Sequence, residues 1–372
     1  MSVAESMPSP RALSPSKPIP RSMKAAVYVG NGNIAVQCVE TPVIGPGEIL
    51  VRVESCGICH TDLKKIEYNL LTPPRIYGHE TAGVVVAVGD RVTKYVAGDR
   101  VIVFHHMPCG NCFYCDRRLY AQCTVYKNVG VTAGYEPAGG GFSQYVRVMD
   151  WIVKRGVELV PEGVGFDQAC WVEPVNTCLK GIELLGLVPG DVVVILGQGP
   201  IGLIFTMLAK RAATSVLATD TIEFRRNVSE RLGASAFHPG QSEFEQAIRA
   251  ATQNRGADAV IVATNARGLV EQALKISRPG AKILLFAQTS TSERIEISGA
   301  DICVGERVLL GSYSADIDLQ GESARLVFSG ELPLEQLISH RVSLDDIGRG
   351  IHIAQHPSER SLKVLVHPQE CN

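Results

Sequence analysis

The chain has 372 residues, of which 45% are hydrophobic and 20% charged, a length and composition typical of a globular protein with two domains. The formal net charge of −2, with no basic run, gives no sign of a nucleic acid or an acidic membrane as partner, because proteins that bind polyanions usually have an excess of basic residues. No apolar stretch reaches the roughly 18 residues of a membrane helix, so no membrane partner is expected.

The N-terminal segment is rich in serine and proline and lacks the apolar centre of a signal peptide. We expect residues 1–22 to form a disordered tail, because so few apolar side chains leave little to bury. The first strand is predicted to begin at Met23.

From Met23 to Asp150, short β-rich runs are separated by glycine and proline. The clearest runs are residues 49–53, 81–88 and 100–104. This pattern predicts an irregular, barrel-like or partly open β domain.

From about Asp167 the pattern changes to strand-like runs that alternate with helical ones. Strands are predicted at 192–196, 215–219, 259–263 and 282–286, and helices at 201–210, before Gly233 and at 269–276. Such alternation is typical of a doubly wound parallel sheet, so the predicted fold class is α/β. From about Ala315 we predict a helix and then a final strand at 362–366.

A glycine motif, G-x-G-x-x-G, directly follows the strand-like run that ends at Leu196. Its candidate cofactor-binding residues are Gly197, Gly199, Pro200, Ile201 and Gly202. The first glycine permits a tight turn, the second lets the backbone approach a pyrophosphate, and the third allows close packing of helix and strand. The N-terminus of the following helix then attracts the phosphates of a dinucleotide.

Asp220 lies about 20 positions after this motif, at the end of the next predicted strand. An acidic residue there hydrogen-bonds the adenosine ribose and repels a 2′-phosphate, which favours NAD over NADP. Arg225 and Arg226 weaken that preference, because a nearby arginine can accept a phosphate. Arg225 is therefore also a candidate cofactor-binding residue.

Four of the 11 cysteines fall within fifteen positions. They are Cys109, Cys112, Cys115 and Cys123. In a chain without a secretory signal, such a cluster indicates a metal site in a reducing compartment, and we expect the cytoplasm. Four thiolates suit a closed tetrahedral zinc site, with an iron–sulfur cluster as the alternative.

A second, looser group of metal-binding residue types is spread over three segments. The segments contain Cys56, Cys59, His60, Thr61 and Asp62, then His79 and Glu80, and then Glu173. A catalytic zinc keeps three protein ligands and one open position, and a cysteine, a histidine and a carboxylate supply such a set. Cys56 is a competing ligand, although a small buried side chain is the simpler interpretation.

These residues together resemble the zinc-containing medium-chain alcohol dehydrogenase superfamily, over about residues 23–370. The zinc signature of that superfamily is matched by Gly78, His79, Glu80, Gly83, Gly89 and Val92. The cysteine cluster, the glycine motif and Asp220 follow in the order that the superfamily has.

The resemblance implies a GroES-like, mostly β catalytic domain built from residues 23–174 and 315–372, with a zinc lobe at 109–123. It places a Rossmann domain that binds NAD at residues 175–314, inserted between the two parts. It also implies a homotetramer or a homodimer.

The resemblance assigns roles to individual residues. Cys59 and His79 correspond to the first two ligands of the catalytic zinc, and Glu173 stands where simple alcohol dehydrogenases have a second cysteine. That departure is similar to the polyol and L-threonine dehydrogenase branch, in which Glu80 also approaches the metal. Thr61 corresponds to the hydroxyl residue that takes the proton of the substrate.

The remaining roles are those of residues around the metal and the cofactor. Asp62 corresponds to a residue that orients a ligand, and Thr177 falls where the superfamily contacts nicotinamide. Lys363 corresponds to a basic residue that meets the pyrophosphate, with a solvated surface lysine as the alternative. His60 takes a second phosphate-facing position, and Lys64 replaces the histidine that ends the proton relay in many members. A lysine is protonated near neutral pH and is a poor proton acceptor unless burial lowers its pKa. The relay therefore ends at His60, at water or at a Lys64 of lowered pKa.

The expected function is hydride transfer from a secondary alcohol to NAD, with one catalytic and one structural zinc per chain. Glu173 favours a polyol, sugar or cyclitol substrate, with L-threonine or a simple alcohol as alternatives. His105 and His106 are candidates for binding a substrate hydroxyl or carboxylate. The intact ligand set argues against a zinc-free reductase of the same superfamily and against a binding protein without activity.

Overall fold

The computed structural model describes residues 18–370, apart from 127, 129, 137–138, 213, 288–293 and 359. Most of the tail predicted for residues 1–22 therefore lies outside the described residues. The first strand begins at Ser22, one residue before its predicted start. Within the part of the chain that is described, no helix has the length and apolar character needed to cross a membrane.

The first part of the chain is mostly strand. Its strands are β1 (Ser22–Gly30), β2 (Asn33–Glu40), β3 (Ile49–Gly57), β4 (Arg75–Ile76), β5 (Glu80–Val88), β6 (Arg100–Val103), β7 (Val131–Thr132), β8 (Tyr145–Val148) and β9 (Val157–Leu159). Its helices are α1 (His60–Glu67) and α2 (Asp150–Arg155). Two further helices, α3 (Phe166–Ala169) and α4 (Val172–Leu185), lead into the second part.

The second part alternates strands and helices. Its strands are β10 (Val192–Leu196), β11 (Ser215–Thr219), β12 (Ser235–Phe237), β13 (Ala257–Val262), β14 (Ser277–Leu285) and β15 (Val308–Gly311). Its helices are α5 (Pro200–Arg211), α6 (Glu223–Arg231), α7 (Ser242–Ala251), α8 (Leu269–Ile276) and α9 (Gly299–Cys303). The chain ends with α10 (Gln320–Phe328), β16 (Ile338–Ser343), α11 (Ile347–Gln355) and β17 (Lys363–His367).

The second part forms a parallel sheet in the order β12-β11-β10-β13-β14-β15. This is the 3-2-1-4-5-6 strand order of a Rossmann fold, and it confirms the predicted α/β class. All five residues of β10 are buried, as expected for a central parallel strand covered by helices on both faces. The strand order reverses beside β10, so the crevice for a dinucleotide opens at its carboxyl end, where the glycine motif begins.

The larger sheet of the first part has the order β16-β17-β3-β5-β6-β9, and β8 also pairs with β3. The last strand, β17, is antiparallel to β3, with Val366 opposite Cys56. The C-terminal segment therefore returns to the first sheet. The predicted C-terminal helix and strand are present, but β16 and α11 lie between them, and the short, partly polar sequence of β16 gave no strand signal.

One continuous hydrophobic cluster joins the two sheets through α4. It extends from Ile49 and Val85 in the first sheet, through Trp171 and Val175, to Val193 in the parallel sheet. The two sheets therefore share one packed core.

An ion-pair network fixes the end of β17 against α3. Asp167 accepts hydrogen bonds from His367 Nε2 (2.7 Å) and Arg341 Nε (2.6 Å). Burial raises the pKa of Asp167, but the bonds from His367 and Arg341 outweigh it and bring this pKa to about 2. The hydrogen bond to Asp167 raises the pKa of His367 above its ordinary value.

These shifts predict when the network stabilises the fold. The contribution of His367 is complete below about pH 6.5 and is lost as the pH rises through its raised pKa. The contribution of Asp167 is present above about pH 3.9 and is lost as the pH falls through about 2.

We expect His367→Gln to lower the free energy of unfolding by about 1 kcal/mol near pH 5.5 and by less near pH 8.5. Urea unfolding at both pH values measures this difference. His356→Gln, at an exposed histidine whose Nδ1 lies near the carbonyl of His352, is the control; equal losses at both pH values for His367→Gln would contradict the prediction.

Candidate active site

The glycine motif has the geometry that each glycine was predicted to need. Gly197, which directly follows β10, has a φ of +97°, in the left-handed region. A Cβ on Gly202 would lie 1.9 Å from the carbonyl oxygen of Gly197, so only glycine fits against the strand. A Cβ on Gly199 would meet nothing closer than Arg225 Nη1, at 3.7 Å, which leaves the backbone open to a ligand. Pro200 is the first residue of α5, a position that suits proline.

Asp220 lies at the end of β11 beside this turn and is buried. Its carboxylate accepts hydrogen bonds from the backbone amides of Gln198 and Ile222, both at 2.8 Å. Arg225 Nη1 stands 3.9 Å from the same carboxylate. Arg225 also donates from Nε and Nη2 to the carbonyl oxygen of Ser361, which joins the dinucleotide crevice to the C-terminal segment.

The clustered cysteines form a compact group of four sulfur atoms within 4.8 Å of one another. Cys115 Sγ lies 3.6 Å from Cys112 Sγ and 3.9 Å from Cys109 Sγ. A single tetrahedral zinc with Zn–S bonds of about 2.3 Å holds its sulfurs about 3.8 Å apart, so the four residues fit one ion. An iron–sulfur cluster distributes the four thiolates over two or four irons and needs a wider arrangement.

The backbone around the lobe favours the thiolate form of Cys123. Burial raises the pKa of this thiol, but the backbone amides of Cys109 and Val125 outweigh it and bring the pKa to about 6. The thiolate is the form that binds metal.

The second metal-binding group consists of Cys59, His79 and Glu80, whose donor atoms lie within 4.8 Å of one another. Cys59 follows β3 as the N-cap residue of α1, and Glu80 begins β5. The two strands pair in antiparallel register with Gly57 opposite Glu80, and this pairing brings the segments together. A thiolate, an imidazole and a carboxylate suit zinc, so the residues present fit the metal.

Asp62 orients two members of this group. Its carboxylate accepts hydrogen bonds from the backbone amide of Cys59 (3.1 Å) and from His79 Nδ1 (3.0 Å). With Nδ1 held in this way, Nε2 of His79 is the nitrogen left for a metal. Burial raises the pKa of Asp62, but the neighbouring His79 outweighs it and lowers this pKa below its ordinary value.

Glu80 and Lys363 form a buried ion pair, and their side chains are 2% and 7% exposed. A Cβ on Gly57 would overlap both side chains, so glycine at this position gives the pair its space. The Lys363 ammonium also lies 5.5 Å from the centre of the Trp171 ring. The alternative that Lys363 is a solvated surface lysine is therefore wrong.

Glu173 and Thr177 lie on α4. Burial and the charge of Glu80 raise the pKa of Glu173, the charge of His79 lowers it, and the pKa is about 7. Among the described residues, the closely spaced donors at this centre are those of Cys59, His79 and Glu80, so Glu173 as third ligand stays a prediction. Thr177 is buried, and its hydroxyl donates to the carbonyl oxygen of Pro174 at 2.9 Å.

His60, Thr61 and Lys64 belong to the first turns of α1, directly after Cys59. His60 is exposed, whereas Thr61 and Lys64 are partly buried. Partial desolvation and the positive charge of Lys64, one turn further along, lower the pKa of His60 below its ordinary value. The order from buried to exposed fits the predicted path of a proton from Thr61 to His60.

A row of aromatic rings leads away from His79. The ring centre of His105 lies 4.7 Å from that of His79 and 3.9 Å from that of His106, which in turn lies 5.3 Å from Tyr126. His105 is 9% exposed, and its Nδ1 has no hydrogen-bond partner in the described structure. Burial and the neighbouring His106 and His79 lower the pKa of His105 well below its ordinary value, so its imidazole is neutral.

Neither the Glu80–Lys363 pair nor the place of Tyr126 follows from a pattern in the sequence. Glu80 and Lys363 are more than 280 positions apart along the chain, and no sequence pattern links them. Tyr126 follows the last cysteine of the lobe by three residues, and a pattern of metal ligands gives no reason to select it.

Comparison with known proteins agrees with this geometry. Residues 45–159 match the alcohol dehydrogenase GroES-like domain, and residues 200–328 match the zinc-binding dehydrogenase family. D-altritol 5-dehydrogenase of Agrobacterium fabrum is 30% identical, over 87% of this chain and 94% of its own length. L-threonine 3-dehydrogenase of Pyrococcus furiosus is also 30% identical, over 82% of this chain and 86% of its own.

Among solved structures, a zinc-binding dehydrogenase from Sinorhizobium meliloti 1021 bound to NADP superimposes with a TM-score of 0.84 and 30% identity. The alignment covers 93% of this chain and 99% of that one. The chain therefore belongs to the zinc-dependent medium-chain alcohol dehydrogenase superfamily, whose members are oxidoreductases that act on CH–OH groups. This confirms the resemblance drawn from the sequence.

The geometry of the four-cysteine lobe predicts a structural zinc there. Loss of this zinc should leave the second zinc, at Cys59 and His79, in place. Cys112→Ser is expected to retain one zinc per chain where the unchanged protein holds two, because three remaining thiolates no longer close the tetrahedron. Metal analysis of the dialysed protein measures this loss. Cys38→Ser removes an exposed thiol outside both groups and should keep both ions. Two zinc ions retained by Cys112→Ser would contradict the assignment of the lobe.

The hydrogen bonds of Asp62 predict its effect on the second site. Asp62→Asn should weaken zinc binding at Cys59 and His79 by about 10- to 100-fold, because the amide no longer orients His79 as a charged acceptor. Competition with a fluorescent zinc chelator measures the affinity. Asp90→Asn, at an exposed aspartate, is the matched control. An unchanged affinity for Asp62→Asn would show that Asp62 does not support a metal ligand.

Proposed function

We propose that this protein is a zinc-dependent dehydrogenase that transfers a hydride from a secondary alcohol of a polyol, sugar or cyclitol to NAD. The observation that carries the proposal is the group of Cys59, His79 and Glu80, in a chain that also has the glycine turn of a dinucleotide-binding fold. Cys59 and His79 would hold the catalytic zinc, with Glu173 or Glu80 as the carboxylate ligand. When bound, zinc lowers the pKa of an alcohol oxygen, and the nicotinamide accepts the hydride.

The residues of the chain bind, orient and deprotonate the substrate. Thr61 accepts the hydroxyl proton and passes it toward His60 and water. Asp62 holds His79 in the orientation that presents Nε2. Glu80 lies beside Cys59 and His79 and forms an ion pair with Lys363, so its carboxylate can bind the metal or hold a water molecule there.

Support for a polyol over L-threonine comes from the charges at the site. An amino acid substrate brings a carboxylate that needs a free cation, but Lys363 already pairs with Glu80. His105 and His106, the candidate residues for binding the substrate, are instead suited to hydroxyl groups, since a neutral imidazole both donates and accepts hydrogen bonds. The D-altritol relative acts on a polyol, whereas the Pyrococcus furiosus relative keeps L-threonine as the second candidate.

NAD is the proposed cofactor because Asp220 is buried next to the glycine turn and places a negative charge where NADP carries its phosphate. Arg225 is the residue that would favour NADP, but its guanidinium donates to the carbonyl of Ser361 and faces Asp220. Thr177 and Lys363 are further proposed contacts of the cofactor.

The proposed domains are a catalytic one at 23–174 and 315–372 and an NAD-binding one at 175–314. Their support is the return of β17 to β3 and the parallel sheet between. We also propose a homotetramer or homodimer in the cytoplasm, in line with the unpaired thiols of the described residues.

A substrate panel tests the function. We expect absorbance at the NADH band to rise with sorbitol, xylitol or myo-inositol, more slowly with NADP than with NAD, and to stop when a zinc chelator is added. L-threonine, 2,3-butanediol and ethanol complete the panel, and Thr61→Val, which removes the hydroxyl at equal size, is the variant expected to abolish turnover. Turnover that survives removal of the catalytic zinc would overturn the mechanism, and turnover on L-threonine alone would favour the second candidate.

A further inference from the structure

Tyr126 occupies an unusual place between the cysteine lobe and the active site. It is 3% exposed and packs in a small cluster with Cys115 and Cys123. Its ring also ends the row that runs through His106 and His105 to His79. One side chain therefore contacts both the base of the lobe and the imidazoles beside the catalytic group.

The hydroxyl of Tyr126 reaches a third region of the molecule. It lies 2.9 Å from Ser314 Oγ and 3.5 Å from the carbonyl oxygen of Ala315. These residues follow β15, where the chain leaves the parallel sheet to return to the first sheet. Ser314 has a φ of +61°, in a left-handed conformation that is uncommon outside glycine and must be held by its surroundings.

The same segment is fixed from its other side by α4. Asn176 is fully buried, donates to the carbonyl oxygen of Asp316 (2.9 Å) and accepts from its amide (2.7 Å). The backbone to which Tyr126 binds is thus a fixed point in the structure. A ring anchored there at its hydroxyl can rotate or slide very little.

We propose that Tyr126 is a positioning residue of the active site. It holds the rings of His106 and His105, and through them His79, at a fixed distance from residues 314–316. His105 has no such anchor at Nδ1, which makes no hydrogen bond in the described structure. This inference rests on the proposed function, because it assumes that His79 binds the catalytic metal and that His105 and His106 face the substrate.

The hydroxyl is tested with conservative variants. Tyr126→Phe keeps the ring and Ser314→Ala keeps the backbone, yet each removes the same hydrogen bond. We expect each to raise the KM of the panel alcohol with the highest turnover by about 3- to 10-fold, with kcat changed less than KM. The double variant should raise KM no further than either single variant, because the shared bond is already lost.

The matched control is Tyr120→Phe. Tyr120 belongs to the same lobe, and its hydroxyl donates to Asp318 of the same segment at 2.8 Å, but its ring is outside the row of imidazoles. This variant should leave KM unchanged. An equal rise of KM in Tyr120→Phe and Tyr126→Phe would mean that any loosening of the lobe has this effect, and it would overturn the specific role of Tyr126.

A spectroscopic measurement separates the positioning role from the identity of the substrate. Cobalt(II) exchanged into the Cys59 and His79 site, with zinc kept in the lobe, gives visible absorption that reports ligand geometry. Tyr126→Leu removes the ring and should shift this band, whereas Tyr120→Phe should not. An unchanged band and an unchanged KM in a Tyr126→Leu protein of lowered melting temperature would show a purely structural residue. A wild-type chain that binds no cobalt at Cys59 and His79 would instead overturn the proposed function and this inference with it.

Discussion

The antiparallel pairing of β3 with both β5 and β17 brings together Cys59, His79, Glu80 and Lys363. Cys59 lies two residues after the end of β3, His79 and Glu80 lie at the start of β5, and Lys363 is the first residue of β17. The pairs Gly57–Glu80 and Gly57–Leu365 bring these segments to one end of the sheet. A shift of the register by one residue would turn the side chains of one strand to the opposite face of the sheet. The arrangement of these residues therefore depends on the register of the strands.

Burial makes this end of the sheet intolerant of change. Glu80 and Lys363 are almost fully buried, and removing either partner leaves an unpaired charge, a loss of about 3–5 kcal/mol in comparable pairs. Gly57 is required because a Cβ would overlap both side chains. The pair also explains how a lysine side chain can lie in the interior, because its charge is neutralised by the Glu80 carboxylate.

The two domains are connected by polar contacts as well as by the common hydrophobic cluster. Arg225 donates to the carbonyl of Ser361, Asn176 holds the backbone of Asp316, and Tyr126 reaches Ser314 from the cysteine lobe. These contacts meet where the chain passes between the sheets. The lobe is therefore joined to the rest of the molecule through defined atoms, in addition to carrying the four cysteines that suit a zinc ion.

Features that depend on local spacing could be predicted from the amino-acid sequence. The glycine turn, the strand–helix alternation and the four clustered cysteines are set by neighbours a few residues apart, and the structure places them as the pattern requires. Tertiary structure alone decided which distant side chains meet, as with Glu80 and Lys363 or Tyr126 and Ser314. The reason is physical: these contacts follow from strand register and from the path of the returning chain, which no local pattern encodes.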